Sequence, residues 1–227
     1  GIIVMGTSNP TQNITKQGFV HLINNSIIEH AVQAVLVKPN AIIYGVGGSK
    51  ILNCLNGISF EPSPSVPDSW SFFQDMTFEC TNIIPTKTTG TLTFLGINGI
   101  NLLGVYGCTF INSAPISILP PFQRGVGVDI MNSSVGFHKT HCIFDYGTNC
   151  WVQTGNNNRF ERLSNGVFAH NSGQSVIIDN SNFLNCQKSI YFAGMGESYI
   201  IRSSFELKQN PFQIQVEPQI SFIQDFN

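Results

Sequence analysis

Charge is scarce in this chain. Eleven Lys and Arg and thirteen Asp and Glu among 227 residues make 11% in all, where soluble domains carry about a quarter. A net charge of −2 beside 42% hydrophobic residues excludes a disordered tail, which needs high charge and few apolar side chains. It also argues against a nucleic-acid binder, which needs a basic surface. No apolar run approaches the roughly 20 residues of a membrane-spanning helix. Helix formers are few as well: 6 Ala and 12 Leu stand against 27 Ile, 15 Val and 18 Phe. β-Branched and aromatic residues pack well on pleated strands, whereas Ala and Leu lead the helix scale. The composition is that of an all-β chain, long enough to form one domain over residues 1–227 with a real core.

Polarity comes instead from amides and hydroxyls. Twenty-three Asn and 21 Gly imply many tight turns, because both residues tolerate positive φ. Many turns mean many short strands. Low charge with abundant Asn, Ser, Thr and Gly suits a secreted or surface protein. Both ends, Gly1-Ile2-Ile3-Val4 and Ile220-Ser221-Phe222-Ile223, are strand-like. The expectation is a processed product or a segment of a longer secreted chain, with more chain or another subunit stacked at one or both ends. Six Cys, at 54, 80, 108, 142, 150 and 186, are compatible with disulfides in an oxidising compartment and equally with buried thiols.

A repeat is hidden in the spacing. Phrases such as Gly107-Cys108-Thr109-Phe110, Asn180-Ser181-Asn182-Phe183 and Arg202-Ser203-Ser204-Phe205 recur. Seven residues after the large apolar residue comes another: Ile28/Val35, Ile51/Ile58, Phe144/Trp151, Phe160/Val167, Phe183/Ile190 and Phe205/Phe212. The first members recur after 22 or 23 residues, as in 28 to 51, 160 to 183 and 183 to 205. That period, with two or three short strands in each repeat, predicts a right-handed parallel β-helix of roughly eight rungs. Loop insertions are expected near 61–70 and 84–100. Rungs about 4.8 Å apart pair every backbone group with the next rung.

These residues resemble the secreted right-handed parallel β-helix proteins of the Bacteroidetes phylum, many exported by type IX secretion. The likeness rests on Gly1-Ile2-Ile3-Val4-Met5-Gly6, Gly18-Phe19-Val20-His21-Leu22 and the stretch from Ile27 to Val35. It continues in Tyr106-Gly107-Cys108-Thr109-Phe110, Arg124-Gly125-Val126-Gly127, Asn182-Phe183 and Ser204-Phe205. The resemblance implies the β-helix fold and a secreted or bacterial cell-surface setting. Related β-helices include polysaccharide lyases, polygalacturonases, tailspikes and adhesins.

Chemistry is harder to find. A lyase of the pectate-lyase-like superfamily needs clustered carboxylates for Ca²⁺ and a basic residue to take a proton. The six Asp (68, 75, 129, 145, 179 and 225) include no Asp-x-Asp, and only Asp129, Asp145 and Asp179 remain as candidates to converge across rungs. Glu161, between Arg159 and Arg162, reads as a surface ion group. His138, His141, Cys142 and Cys150 lack the second ligand pair that zinc sites favour, so no metal or other cofactor is assigned. The better reading of Cys142 and Cys150 is a local disulfide across the short loop 145–149. Cys54 and Cys186, some five or six rungs apart, are not expected to bond to each other. Gly45-Val46-Gly47-Gly48-Ser49-Lys50 reads as a turn. Trp70, Phe72, Phe73, Tyr106, Trp151, Tyr191 and Tyr199 include candidates for stacking on sugar rings, although Trp151 and one of Phe72 and Phe73 should face the core. The expected function is a non-catalytic module for adhesion or assembly that binds extracellular proteins or polysaccharide. A lyase or glycoside hydrolase is the alternative.

Overall fold

The structure, a computed structural model, describes residues 1–7, 17–62, 70–82, 92–115, 124–145, 150–170, 174–206, 214–216 and 222–225. Short strands of alternating inward apolar and outward polar residues wind into rungs. The first rung is β1 (Ile2–Val4), β2 (Phe19–Leu22) and β3 (Ile27–Glu29); the second is β4 (Gln33–Val37), β5 (Ile42–Gly45) and β6 (Lys50–Leu52). The third is β7 (Asn56–Phe60), β8 (Phe72–Gln74) and β9 (Thr77–Cys80), and the fourth β10 (Thr93–Asn98), β11 (Leu103–Tyr106) and β12 (Thr109–Asn112). The fifth runs β13 (Val126–Met131) and β14 (Val135–His138), then a hairpin of β15 (His141–Asp145) and β16 (Cys150–Thr154), then β17 (Asn158–Glu161). The sixth is β18 (Asn165–His170), β19 (Val176–Asp179) and β20 (Ser181–Leu184), and the seventh β21 (Lys188–Ala193), β22 (Ser198–Ile201) and β23 (Ser204–Glu206). Strands β24 (Ile214–Val216) and β25 (Phe222–Asp225) begin an eighth.

Stacking these rungs yields three parallel sheets. Sheet A is β1-β4-β7-β10-β13-β18-β21-β24, sheet B is β2-β5-β8-β11-β14-β19-β22-β25, and sheet C is β3-β6-β9-β12-β17-β20-β23. The fold is the right-handed parallel β-helix that the repeat predicts, with seven complete rungs among the described residues against the roughly eight expected.

The core follows from register. Ile28, Ile51, Phe78, Phe110, Phe160, Phe183 and Phe205 form one inward column of sheet C. From Phe78 to Phe205 the rings stack face to face at 4.7–5.1 Å between centroids. The partner column of sheet A carries Val35, Ile58, Leu95, Val128, Val167 and Ile190. The seven-residue offset is therefore the step round the corner from sheet C to sheet A. Phe78 and Phe110 lack it because extra residues enter their corners before Leu95 and Val128.

Phe144 and Trp151 share the offset for a different reason: they face each other across the hairpin β15–β16. Trp151 therefore holds no inward slot in a rung, and its side chain lies outside the described residues, as does Phe212. The insertion expected over 84–100 also ends earlier, because 93–98 is β10; residues 83–91 and 63–69 lie outside the described residues.

Corners are made by left-handed residues. Asn25, Gly48, Asp75, Gly107, Asn180 and Arg202 all have positive φ and stand three residues before the inward column of sheet C. His30, Asn53, Arg162 and Asn185 repeat the device two residues after it. Asn is suited to this role; Arg is not, and it costs about 1–2 kcal/mol more in this conformation.

The corner between sheets B and C holds buried and half-buried polar side chains in several rungs, which pair with one another or satisfy backbone groups. Ser26 donates to Ser49 (3.1 Å), and the Ser181 amide donates to Ser203 (3.2 Å). Asn158 fills the position where the hairpin leaves the rung. Its Oδ1 accepts from the Cys108 amide (2.9 Å), and its Nδ2 donates to the His138 and Val105 carbonyls.

Candidate functional site

Among the described residues, the outward face of sheet B carries most of the surface aromatics. Register aligns Tyr44, Phe72, Gly104, Gly136, Ile177 and Tyr199 in one outward row. The next outward row is Gln74, Tyr106, His138, Asp179 and Ile201. The two glycines make room for the rings of the second row. A Cβ on Gly104 would lie 2.4 Å from Tyr106 Cε2, and one on Gly136 would lie 2.7 Å from His138 Nε2. Both rings therefore lie along their strands instead of standing up from the sheet. Their centroids are 5.9 Å apart, with planes 29° from parallel.

Two adjoining depressions result. One, of about 390 Å³, is lined by Trp70, Phe72, Gln74, Gly104, Tyr106 and Thr140 among others. The second, of about 340 Å³, involves Gly136, His138, Ser134, Ser175 and Ile177, and shares Leu102, Gly104 and Tyr106 with the first. Leu102 is 66% exposed at φ 54°, and its amide is held by Ser134 Oγ at 3.0 Å. An exposed apolar residue in a strained conformation marks a site that the surroundings have fixed. Trp70, 56% exposed, lines the first depression.

Polar groups at the edge are tied down. Asp179, its side chain 3% exposed, receives Arg202 Nε at 2.9 Å and Nη2 at 2.6 Å, and Asn180 Nδ2 at 2.8 Å. His138 Nδ1 stands 3.7 Å from the same carboxylate. Burial pulls the His138 imidazole below its ordinary pKa, against the attraction of Asp179. The ring is neutral near pH 7. Asp75 accepts from Thr140 Oγ1 (2.7 Å) and Asn156 Nδ2 (3.1 Å).

Sheet A carries a second cluster, beside a depression of about 460 Å³ lined by Asp129, Ser164, Phe168 and Lys188 among others. Phe168 stacks on Tyr191 at 4.9 Å, Lys188 lies over the Tyr191 ring, and His170 Nε2 is 3.2 Å from Asp129 Oδ1. Burial raises the Asp129 carboxyl above its usual range, with His170 opposing.

Of the carboxylates considered for catalysis, Asp129 and Asp179 are not brought together. Asp129 lies on sheet A and Asp179 on sheet B, while Asp145 is on the hairpin, its side chain outside the described residues. Among the described residues no three His, Cys, Asp or Glu side chains cluster as a metal site. Glu161 pairs with Arg159 and Arg162, the ion group that the sequence suggests. Residues 46–49 form a turn with positive φ at Gly47 and Gly48.

Cys54, Cys80, Cys108 and Cys186 are free and buried. Burial pushes the Cys80 thiol up to about 11, and Cys108 and Cys186 up to about 12. Cys54 and Cys186 flank the same corner, four rungs apart rather than the expected five or six. The hairpin register sets Cys142 opposite Gln153 and Cys150 opposite Asp145; both thiols lie outside the described side chains.

Of the aromatic candidates, Trp70, Phe72, Tyr106 and Tyr199 reach sheet B and Tyr191 reaches sheet A, while Phe73 is fully buried in the core. Sequence reasoning missed Tyr44, Gly104 and Gly136, and weighed His138 only as a metal ligand. The available signal was Gly-x-aromatic at the same strand position in consecutive rungs, Gly104-Val105-Tyr106 and Gly136-Phe137-His138.

Comparison with protein-family models, with curated proteins and with solved structures finds no match for this chain. Among the described residues no helix is long and apolar enough to cross a membrane.

Proposed function

We propose that this chain is a non-catalytic β-helix module, secreted or displayed on a bacterial surface, that binds glycans through the outward face of sheet B. The carrying observation is the pair of adjoining depressions from Trp70 to Ile177, lined by Trp70, Phe72, Tyr106 and His138 together with uncharged hydrogen-bonding groups. Amphipathic rings supply large contact area with little entropy cost, and Gln, Ser and Thr fix orientation. Separation of Asp129 and Asp179 onto different sheets speaks against the lyase or hydrolase alternative, which needs acid and base groups in one cleft. A surface or extracellular setting agrees with the low charge and with the resemblance noted above.

The experiment is retention of the pure protein on a panel of insoluble and gel-embedded polysaccharides. The same mixtures are assayed for reducing ends and unsaturated products, with and without Ca²⁺. Saturable retention without turnover supports the reading. Turnover lost on changing Asp129 or Asp179 would install the enzyme instead, and retention on no glycan would remove the binding role.

A further inference from the structure

We propose that the sheet B groove takes an extended, uncharged glycan of equatorially linked pyranoses lying along the solenoid axis, with neighbouring sugars on Tyr106 and His138. This rests on the glycan-binding reading and adds direction, linkage and charge.

Direction follows from the lining. The first depression takes residues from the third and fourth rungs, Trp70 to Gln74 and Leu102 to Tyr106. The second continues through the fifth and sixth, with Gly136, His138, Ser175 and Ile177. The groove thus crosses strands and runs with the axis over three rung steps, roughly 14 Å at the usual strand spacing. That length accommodates a short run of sugars.

Linkage follows from the rings. Tyr106 and His138 lie along their strands at one position on successive rungs, 5.9 Å apart. This is close to the length one pyranose adds to an extended, equatorially linked chain. A coiled axial linkage does not keep successive sugars on one straight line. The glycines beneath are specificity-determining, because any side chain on Gly104 or Gly136 displaces the ring above it.

Charge follows from pairing. Among the described lining residues none is Lys or Arg. The nearby Arg202 is bound bidentately to Asp179, and burial keeps His138 neutral. A polyuronate or sulfated glycan finds no net positive partner here, while Gln74, Thr140, Ser134 and Ser175 suit hydroxyls.

The test is calorimetric titration of the whole chain with cello-, manno- and xylohexaose, with maltohexaose and with oligogalacturonate. The expected result is binding of at least one β-1,4-linked neutral hexaose and none of maltohexaose or oligogalacturonate. Affinity should fall at least tenfold in Tyr106→Ala and in Gly136→Val, and remain within threefold in Tyr106→Phe. Circular dichroism and melting temperature check each variant. If Tyr106→Ala does not fold, His138→Ala replaces it under the same tenfold criterion. Preference for maltohexaose or oligogalacturonate overturns this inference and leaves glycan binding standing. Neutral hexaose binding unchanged in all of these variants overturns the placement on these rings. Failure to bind any glycan, with retention on none of the polysaccharides, overturns both.

Discussion

Arg202 grips the carboxylate of Asp179 with two hydrogen bonds, at 2.9 and 2.6 Å, from a backbone position of φ 45° that disfavours long side chains. One rung earlier the same corner is turned by Asn180, which itself donates to Asp179. The buried carboxylate thus ties two consecutive corners together at the end of the aromatic groove. Removing a partner of a fully buried pair costs roughly 3–5 kcal/mol. The guanidinium here is half exposed and Asn180 persists, so Arg202→Ala should cost about 2 kcal/mol. Urea unfolding measures it, and an unchanged midpoint would show that the pair is ornamental.

Phe160 sits in the middle of the phenylalanine stack, fully buried between Phe110 and Phe183. Truncation there loses transfer energy and leaves a cavity that two flat neighbours cannot close. Phe160→Ala should cost about 4 kcal/mol and Phe160→Leu about 1.5 kcal/mol, as for other core truncations. Equal losses for the two variants would contradict ring stacking as the source.

Asn158 satisfies three buried backbone groups at once. Asn158→Leu keeps the volume and strands all three. A loss of about 2–3 kcal/mol is expected, since each orphaned group costs about 1–3 kcal/mol and water reaches part of the gap. Hydrogen exchange should accelerate first at the Cys108 amide.

The four described thiols should be silent. Cys54, Cys80, Cys108 and Cys186 are buried with raised pKa values, so neither access nor thiolate is available at neutral pH. Iodoacetamide at pH 7 should label none of the four until denaturant is added. A peptide map without reduction reports at the same time on Cys142 and Cys150. The hairpin register sets these two residues three positions out of step, roughly 10 Å along the strand. That is beyond the roughly 7 Å that a bridge spans. Two alkylated thiols would agree with that register, and a linked pair would restore the local disulfide expected from the sequence.

Acid should weaken the fold through His138. Its folded pKa is lowered, first by burial, so the unfolded chain takes up a proton near pH 6.5 that the folded chain refuses. Stability is then lost as pH falls below about 6.5 toward the lower folded value. His138→Gln should flatten this limb of the urea midpoint between pH 7.5 and 5. A variant with an unchanged slope would place the acid sensitivity elsewhere.

The fold was legible because solenoid packing repeats itself in the sequence. Pairs such as Ile51/Ile58 and Phe183/Ile190 report one physical step, from sheet C to sheet A, taken every rung. Phe144/Trp151 imitated it because a two-stranded hairpin also places residues seven apart opposite each other. The groove was less legible. Its rings Phe72, Tyr106 and His138, with Tyr44 beside them, lie 28 to 34 residues apart from one to the next, and only register lines them up. Gly104 and Gly136 read as turn residues by composition, yet both lie inside strands, as floors for rings. Partner preference for Arg202 was equally hidden, because Asp179 lies 23 residues away and meets it only when rungs stack.

Trp70 offers the most direct measurement of the central claim. It is exposed at the mouth of the first depression, and the chain has one other Trp, at 151. Tryptophan emission is followed while the folded protein is titrated with the polysaccharide that retains it best. The account expects a saturable change that disappears in Trp70→Phe, with no sugar released from the polymer. A glycan retained with no change in Trp70 emission, or cleaved during the titration, would contradict it.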